Sequence, residues 1–143
     1  MYSRVHEQCP SLGLTCPGFR EEVGRARRWT RDVLAGHPRA DDATLIVSEL
    51  GTNALLYTAS GEENGAFQVT LALSDHVIAV SVTDAGGNAT IPEVEHAEKE
   101  ALRGRGLDIV SSLAHNVSIH GTGQGFTVTA ELISHHPVSR PWQ

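Results

Sequence analysis

The chain has 143 residues, of which 40% are hydrophobic and 20% charged, the make-up of one soluble globular domain large enough for a real core. Asp and Glu outnumber Lys and Arg by 17 to 11, and the net charge of −6 argues against a general nucleic-acid binder. No apolar run approaches the roughly 20 residues that cross a bilayer.

Residues 1–10 read as a flexible lead-in, too polar for a signal peptide, so a cytoplasmic protein is expected. The segment 11–16, SLGLTC, reads as a short edge strand punctuated by Pro17 and Gly18. Cys9 and Cys16 lack a CxxC spacing and read as free thiols in a reducing compartment. Over 19–35 the residues Val23, Ala26, Thr30, Val33 and Leu34 fall on one helical stripe. Arg20, Arg25, Arg27, Arg28 and Arg31 lie mostly off that stripe, on a solvated face. Gly36, His37 and Pro38 end the helix.

A second helix is expected over 40–57, with Asp41 and Asp42 where negative charge suits the helix dipole. Residues 60–65, SGEENG, read as a turn or loop. The segments 67–74 and 77–84 alternate like strands and read as a hairpin. Residues 85–103 are charged, contain Gly and Pro, and hold no strong period; so long a loop reads as a functional lid or a disordered stretch. A third helix restarts over 104–114, with Leu107, Val110 and Leu113 or Ala114 inward. Strands at 115–121 and 125–133 make a second hairpin, and 134–143 is a flexible polar tail. The eight histidines are scattered and suggest no metal site. The order predicts a single domain over 11–133. Its fold class is a two-layer α/β sandwich: a mixed, mostly antiparallel sheet with helices on one face.

Three stretches carry chemistry. In LIVSELGTNALLYTAS, 45–60, Glu49 and Asn53 stand four apart on one helix face, a poor core but a good site. A carboxylate polarises a hydroxyl or water, and an amide oxygen suits Mg²⁺, a hard cation. VTDAGG, 82–87, puts Asp84 at the end of a strand, followed by Gly86 and Gly87. GRGLDIV, 104–110, opens a helix with Gly104 and Gly106 flanking Arg105, an arrangement that admits phosphates to backbone N–H groups. In this order the three read as a nucleotide site. Each also has a plainer reading: a solvated helix face for Glu49, a turn residue for Asp84 and helix-start glycines, and a strand threonine such as Thr127 in the later segment 125–133 reads as ordinary sheet packing.

Together these stretches resemble the GHKL (histidine-kinase-like) ATPase superfamily, and within it the anti-sigma serine/threonine kinases, over about 11–133. The N-box is similar to Glu49–Tyr57, the first glycine box to Asp84-Ala-Gly86-Gly87, and the second to Gly104-Arg105-Gly106-Leu107. A late strand with a threonine near the phosphates matches Gly125-Phe126-Thr127-Val128. The resemblance implies the Bergerat ATP-binding fold, with ATP and Mg²⁺ as cofactors and 85–103 as the ATP lid. It implies that Asp84 accepts the adenine amino group, Gly86 lets the base approach, Asn53 ligates Mg²⁺ and Glu49 activates the attacking hydroxyl. Gly104, Arg105, Gly106, Leu107 and Thr127 are then phosphate-side residues. The implied partners are a sigma factor and a small STAS-type anti-sigma antagonist, exchanged by partner switching, and the implied assembly is a homodimer. Two positions depart from the family: Tyr57 stands where His is frequent, and Asn88 where the first glycine box has a second glycine. A non-catalytic regulator of the same fold is the alternative. A sensor kinase is not expected, since no helix with a phosphoaccepting His precedes the domain.

Overall fold

The structure is a computed structural model that describes residues 10–57, 65–84, 107–122 and 125–134. Strand β1 (Ser11–Pro17) leads into helices α1 (Glu21–Val33) and α2 (Ala40–Tyr57). Strands β2 (Ala66–Leu73) and β3 (Val77–Asp84) follow. A short helix α3 covers residues 107–113, and β4 (Asn116–Thr122) and β5 (Gly125–Ile133) are the last of the described elements.

The strands form one sheet in the order β1-β2-β3-β5-β4. Among the described residues all four pairings are antiparallel, so the mostly antiparallel sheet that was expected shows no parallel pair there. Hairpins join β2 to β3 and β4 to β5, while the helical segment between β3 and β4 lets β5 pair directly with β3. Strand alternation assigns the two faces. Phe67, Val69, Leu71 and Leu73 of β2 are buried, as are Ile78, Val80 and Val82 of β3 and Val128, Ala130 and Leu132 of β5. Register keeps these in rows: Val69 opposite Val82, and Val82 opposite Val128. The other face is polar, with Ser81 and Thr129 sharing a 2.9 Å hydroxyl bond and Thr83 and Thr127 another.

The helices cover the apolar face. In α1, Ala26 and Thr30 are buried. The Thr30 hydroxyl donates to the Ala26 carbonyl at 2.8 Å, so a buried polar group within a helix is satisfied one turn back. After α1, Gly36 takes φ +83°, a left-handed turn that suits glycine, and the chain reverses into α2. His37 then caps α2: its Nδ1 accepts the Arg39 N–H at 2.9 Å. In α2, Ala43, Ile46, Val47, Leu50 and Ala54 face the sheet. Gly51 lies where α2 meets both layers; a Cβ there would be 3.5 Å from the Phe67 ring and 3.6 Å from Val23. Val110 anchors α3 in the same core. Arg39 ties the start of α2 to the end of α3 by donating to the Leu113 carbonyl at 3.0 Å. No helix among the described residues is long and apolar enough to cross a membrane.

Candidate functional site

The site lies where the last turns of α2 pass over the start of β2 and the end of β3. Asp84 ends β3 with the parity of Val82, so its side chain is on the helix-covered face. Its cross-strand neighbour is Phe67, 2% exposed, and the Phe67 ring packs beneath Gly51. Gly51 stands midway between Glu49 and Asn53. Asp84 is therefore one strand removed from the residue that supports α2 between the other two candidates.

Asp84 is held from the opposite side as well. Its Oδ1 accepts the backbone N–H of Phe126 on β5 at 3.1 Å. The β3–β5 ladder runs to the pair Thr83–Thr127, and the Asp84 carboxylate takes the place of the next backbone acceptor. A carboxylate can accept about four hydrogen bonds, so this bond orients the group without exhausting it.

Glu49 and Asn53 are half-buried at the edge of the stripe formed by Ile46, Leu50 and Ala54. The Nδ2 of Asn53 is buried and has no hydrogen-bond partner among the described residues. Asparagine is a weak helix former, and a buried amide donor without a partner costs about 1–3 kcal/mol. Both penalties fall on this one position of α2. Through Nδ2 the carboxamide donates to an anionic oxygen; turned over, it presents Oδ1 to a cation.

Leu107 is half-buried at the first described turn of α3 and packs on the core. Gly86, Gly87, Gly104, Arg105 and Gly106, the lid at 85–103, Asn88 and the terminal stretches lie outside the described residues. Tyr57 continues α2. Thr127 is not brought to the site. Its register partner is Thr83, its hydroxyl is bonded to the Thr83 hydroxyl at 2.9 Å, and both lie on the face away from the helices. The neighbour that does share a face with Asp84 is Phe126, which motif matching passed over. Strand parity was the available signal, since 126 and 128 face one way and 127 the other.

A second feature, unread in the sequence, is a groove of about 480 Å³ between α1 and α2. Val23, Gly24 and Leu55 line it, with Arg20, Arg27, Ser48 and Thr52. Phe19 and Leu56, at 65% and 64% the most exposed large hydrophobics among the described residues, stand at this end of the helix pair. The groove opens on the α1 side of α2, around the helix from Asn53.

Residues 19–132 match the family described as the histidine kinase-like ATPase domain. The sequence matches no curated protein. Among solved structures, the chain is similar to one in the crystal structure of the SiaB–SiaC complex from Pseudomonas aeruginosa. The two share 20% identity over 92% of each chain, with a TM-score of 0.60, a likeness of fold. With four-fifths of its length under the family pattern, the chain belongs to the histidine kinase-like ATPase domain family.

Proposed function

We propose that this ATPase-family domain is a protein serine/threonine kinase that acts as an anti-sigma switch. It phosphorylates a small STAS-type antagonist and, in the other state of the switch, holds a sigma factor. The observation that carries the nucleotide site is Asp84, a carboxylate on the helix-facing side of the sheet, oriented by the Phe126 N–H. An acceptor fixed there selects adenine, because guanine would leave it facing a carbonyl.

The buried Nδ2 of Asn53, without a partner among the described residues, fits a phosphate oxygen, and with the carboxamide turned over Asn53 is the residue that would hold Mg²⁺ through Oδ1. The ion, when bound, neutralises charge on the phosphates. Glu49, one turn earlier, takes the proton of the acceptor Ser or Thr hydroxyl as that oxygen attacks the terminal phosphorus. The bond from phosphorus to the bridging oxygen breaks, and ADP leaves. Gly86, Gly87, Gly104, Arg105 and Gly106 are the proposed backbone and cationic contacts to base and phosphates. Phosphate on the antagonist adds charge of about −2 and loosens its docking, which returns the kinase to sigma. The groove bearing Arg20 and Arg27 beside Phe19 and Leu56 supports a docking role for an acidic, partly apolar partner segment.

The test is a thermal shift with Mg²⁺ and ATP, ADP or GTP on the wild type and Asp84→Asn, followed by phosphate transfer to a candidate antagonist with Glu49→Ala. A ligand that binds only the native state raises the melting temperature by mass action. Stabilisation by ATP and ADP but not GTP, lost in Asp84→Asn, and transfer lost in Glu49→Ala are expected. No shift at saturating ATP defeats the site. A shift without transfer to any antagonist supports the second reading, a non-catalytic regulator, which Tyr57 and Asn88 favour as departures from the family pattern.

A further inference from the structure

At one level of the sheet, the residues facing the helices run Cys16, Phe67, Asp84, Phe126, Gly121 from strand to strand. Cys16 pairs with Phe67, Phe67 with Asp84, and Phe126 with Gly121. The Asp84 carboxylate joins the two halves through the Phe126 N–H. Asp84 thus stands between two phenylalanines with different surroundings. Phe67 is 2% exposed and sealed under α2, whereas Phe126 is 36% exposed. The Phe126 ring occupies the space a side chain at position 121 would need. A Cβ on Gly121 would lie 2.9 Å from Cε1 and 3.2 Å from Cδ1 of that ring. Glycine at 121 is what lets the ring rest against β4.

An aromatic ring backed by main chain on one side, partly open elsewhere and adjacent to an oriented carboxylate is matched by a flat heterocycle with an amino group. The ring receives the base's π surface and the carboxylate receives its N–H. We infer that Phe126 forms an apolar wall of the adenine subsite, so that one residue both orients Asp84 through its N–H and packs against the base through its side chain. The inference rests on the reading of Asp84 as the adenine acceptor and deepens it. It makes Phe126 a base-specificity residue with no contact to the phosphates.

The experiment is isothermal titration of the full chain with Mg²⁺ and ATP, ADP or inorganic tripolyphosphate. The proteins are the wild type, Phe126→Ala, Phe126→Tyr, Gly121→Ala and Asp84→Asn, each checked for a cooperative melt. Loss of base–aromatic packing weakens binding by about tenfold or more. Phe126→Ala is therefore expected to bind ATP and ADP about tenfold more weakly and tripolyphosphate unchanged, while Phe126→Tyr keeps wild-type affinity. Gly121→Ala displaces the ring but leaves residue 126 its N–H, and it is expected to reproduce the Phe126→Ala pattern. It remains informative should Phe126→Ala not fold. Wild-type ATP affinity in either ring variant, with affinity lost in Asp84→Asn, overturns the role of Phe126 and leaves the adenine site standing. Equal losses for ATP and tripolyphosphate overturn it too, because a base wall does not touch phosphate. Absence of ATP binding in the wild type overturns both readings.

Discussion

Thr83 and Thr127 share a hydroxyl–hydroxyl hydrogen bond of 2.9 Å on the face of the sheet that the helices leave open. With Ser81 and Thr129 beside them, they form a cross-strand polar pairing that suits a solvent-facing sheet surface. Thr127→Val removes one part-buried hydrogen bond and keeps the β-branched shape. It is expected to cost about 1 kcal/mol in urea unfolding and to leave the melting-temperature rise with Mg²⁺ and ATP unchanged. A nucleotide shift abolished by this substitution would mean that Thr127 reaches the ligand.

The difference between Thr127 and Phe126 shows where sequence reading reached its limit. A one-residue slip along a strand moves a side chain to the other face. The match of Gly125–Val128 to a motif located the strand but not its facing, which is set by pairing with β3 some forty residues earlier. Local signals did better. The apolar pattern and the acidic pair Asp41 and Asp42 located α2, and the structure has it at Ala40–Tyr57. Strand alternation on either side of Ser74, Asp75 and His76 located the first hairpin, and the break at 122–124 the second. The first helix was expected from residue 19 but begins at Glu21, because the Phe19 N–H turns back to the Pro17 carbonyl at 2.8 Å. The expected sheet is mixed but mostly antiparallel, and every described pairing is antiparallel; the placing of β5 beside β3 depends on a crossover that no local pattern encodes. The i, i+4 spacing of Glu49 and Asn53 was legible, whereas the partnerless amide of Asn53 emerges only once the core has closed around it.

With Asn53 as the proposed phosphate and Mg²⁺ contact, that amide would set function against stability. In the absence of ligand, Asn53→Ala removes a buried donor without a partner and replaces a weak helix former by the strongest one. The variant without nucleotide is expected to be more stable than wild type, by about 0.5–1.5 kcal/mol in urea unfolding. The additional stabilisation by Mg²⁺ and ATP should be lost. Destabilisation of the ligand-free protein would show that Asn53 has a structural partner.

Cys16 is fully buried in β1 with a free thiol, and burial pushes its pKa up. The Arg25 charge pulls it down by less than burial raises it, and Glu22 adds to the rise. The native state therefore holds this proton more tightly than the unfolded chain. The resulting stability is complete below the ordinary thiol pKa of about 8.5 and is lost as pH rises towards the raised native value. In a Cys9→Ser background, iodoacetamide at about pH 8 is expected to modify the thiol only when denaturant is added. Melting temperatures above about pH 8.5 should fall less steeply in Cys16→Ala than in its parent. Rapid native-state labelling would contradict the burial.

His37 holds the start of the helix that carries Glu49 and Asn53. Its Nδ1 accepts the Arg39 N–H at 2.9 Å, and its own N–H and carbonyl bond Leu34 and Ala40 across the α1–α2 turn. With Nδ1 an acceptor, the neutral ring carries its proton on Nε2, 3.5 Å from the Ser134 hydroxyl. His37→Ala removes the cap and leaves a void at a site only 4% exposed, and is expected to cost about 2–3 kcal/mol. His37→Asn leaves a similar void but restores a good N-cap acceptor, so it should recover about 1 kcal/mol of that loss. The difference between the two variants in urea unfolding isolates the cap from the packing. Equal destabilisation would mean that the Arg39 N–H bond contributes nothing. The site lies at the opposite end of α2, so His37→Asn should retain the wild-type melting-temperature rise with ATP. A loss there would reveal that the helix start transmits strain along α2 to Asn53.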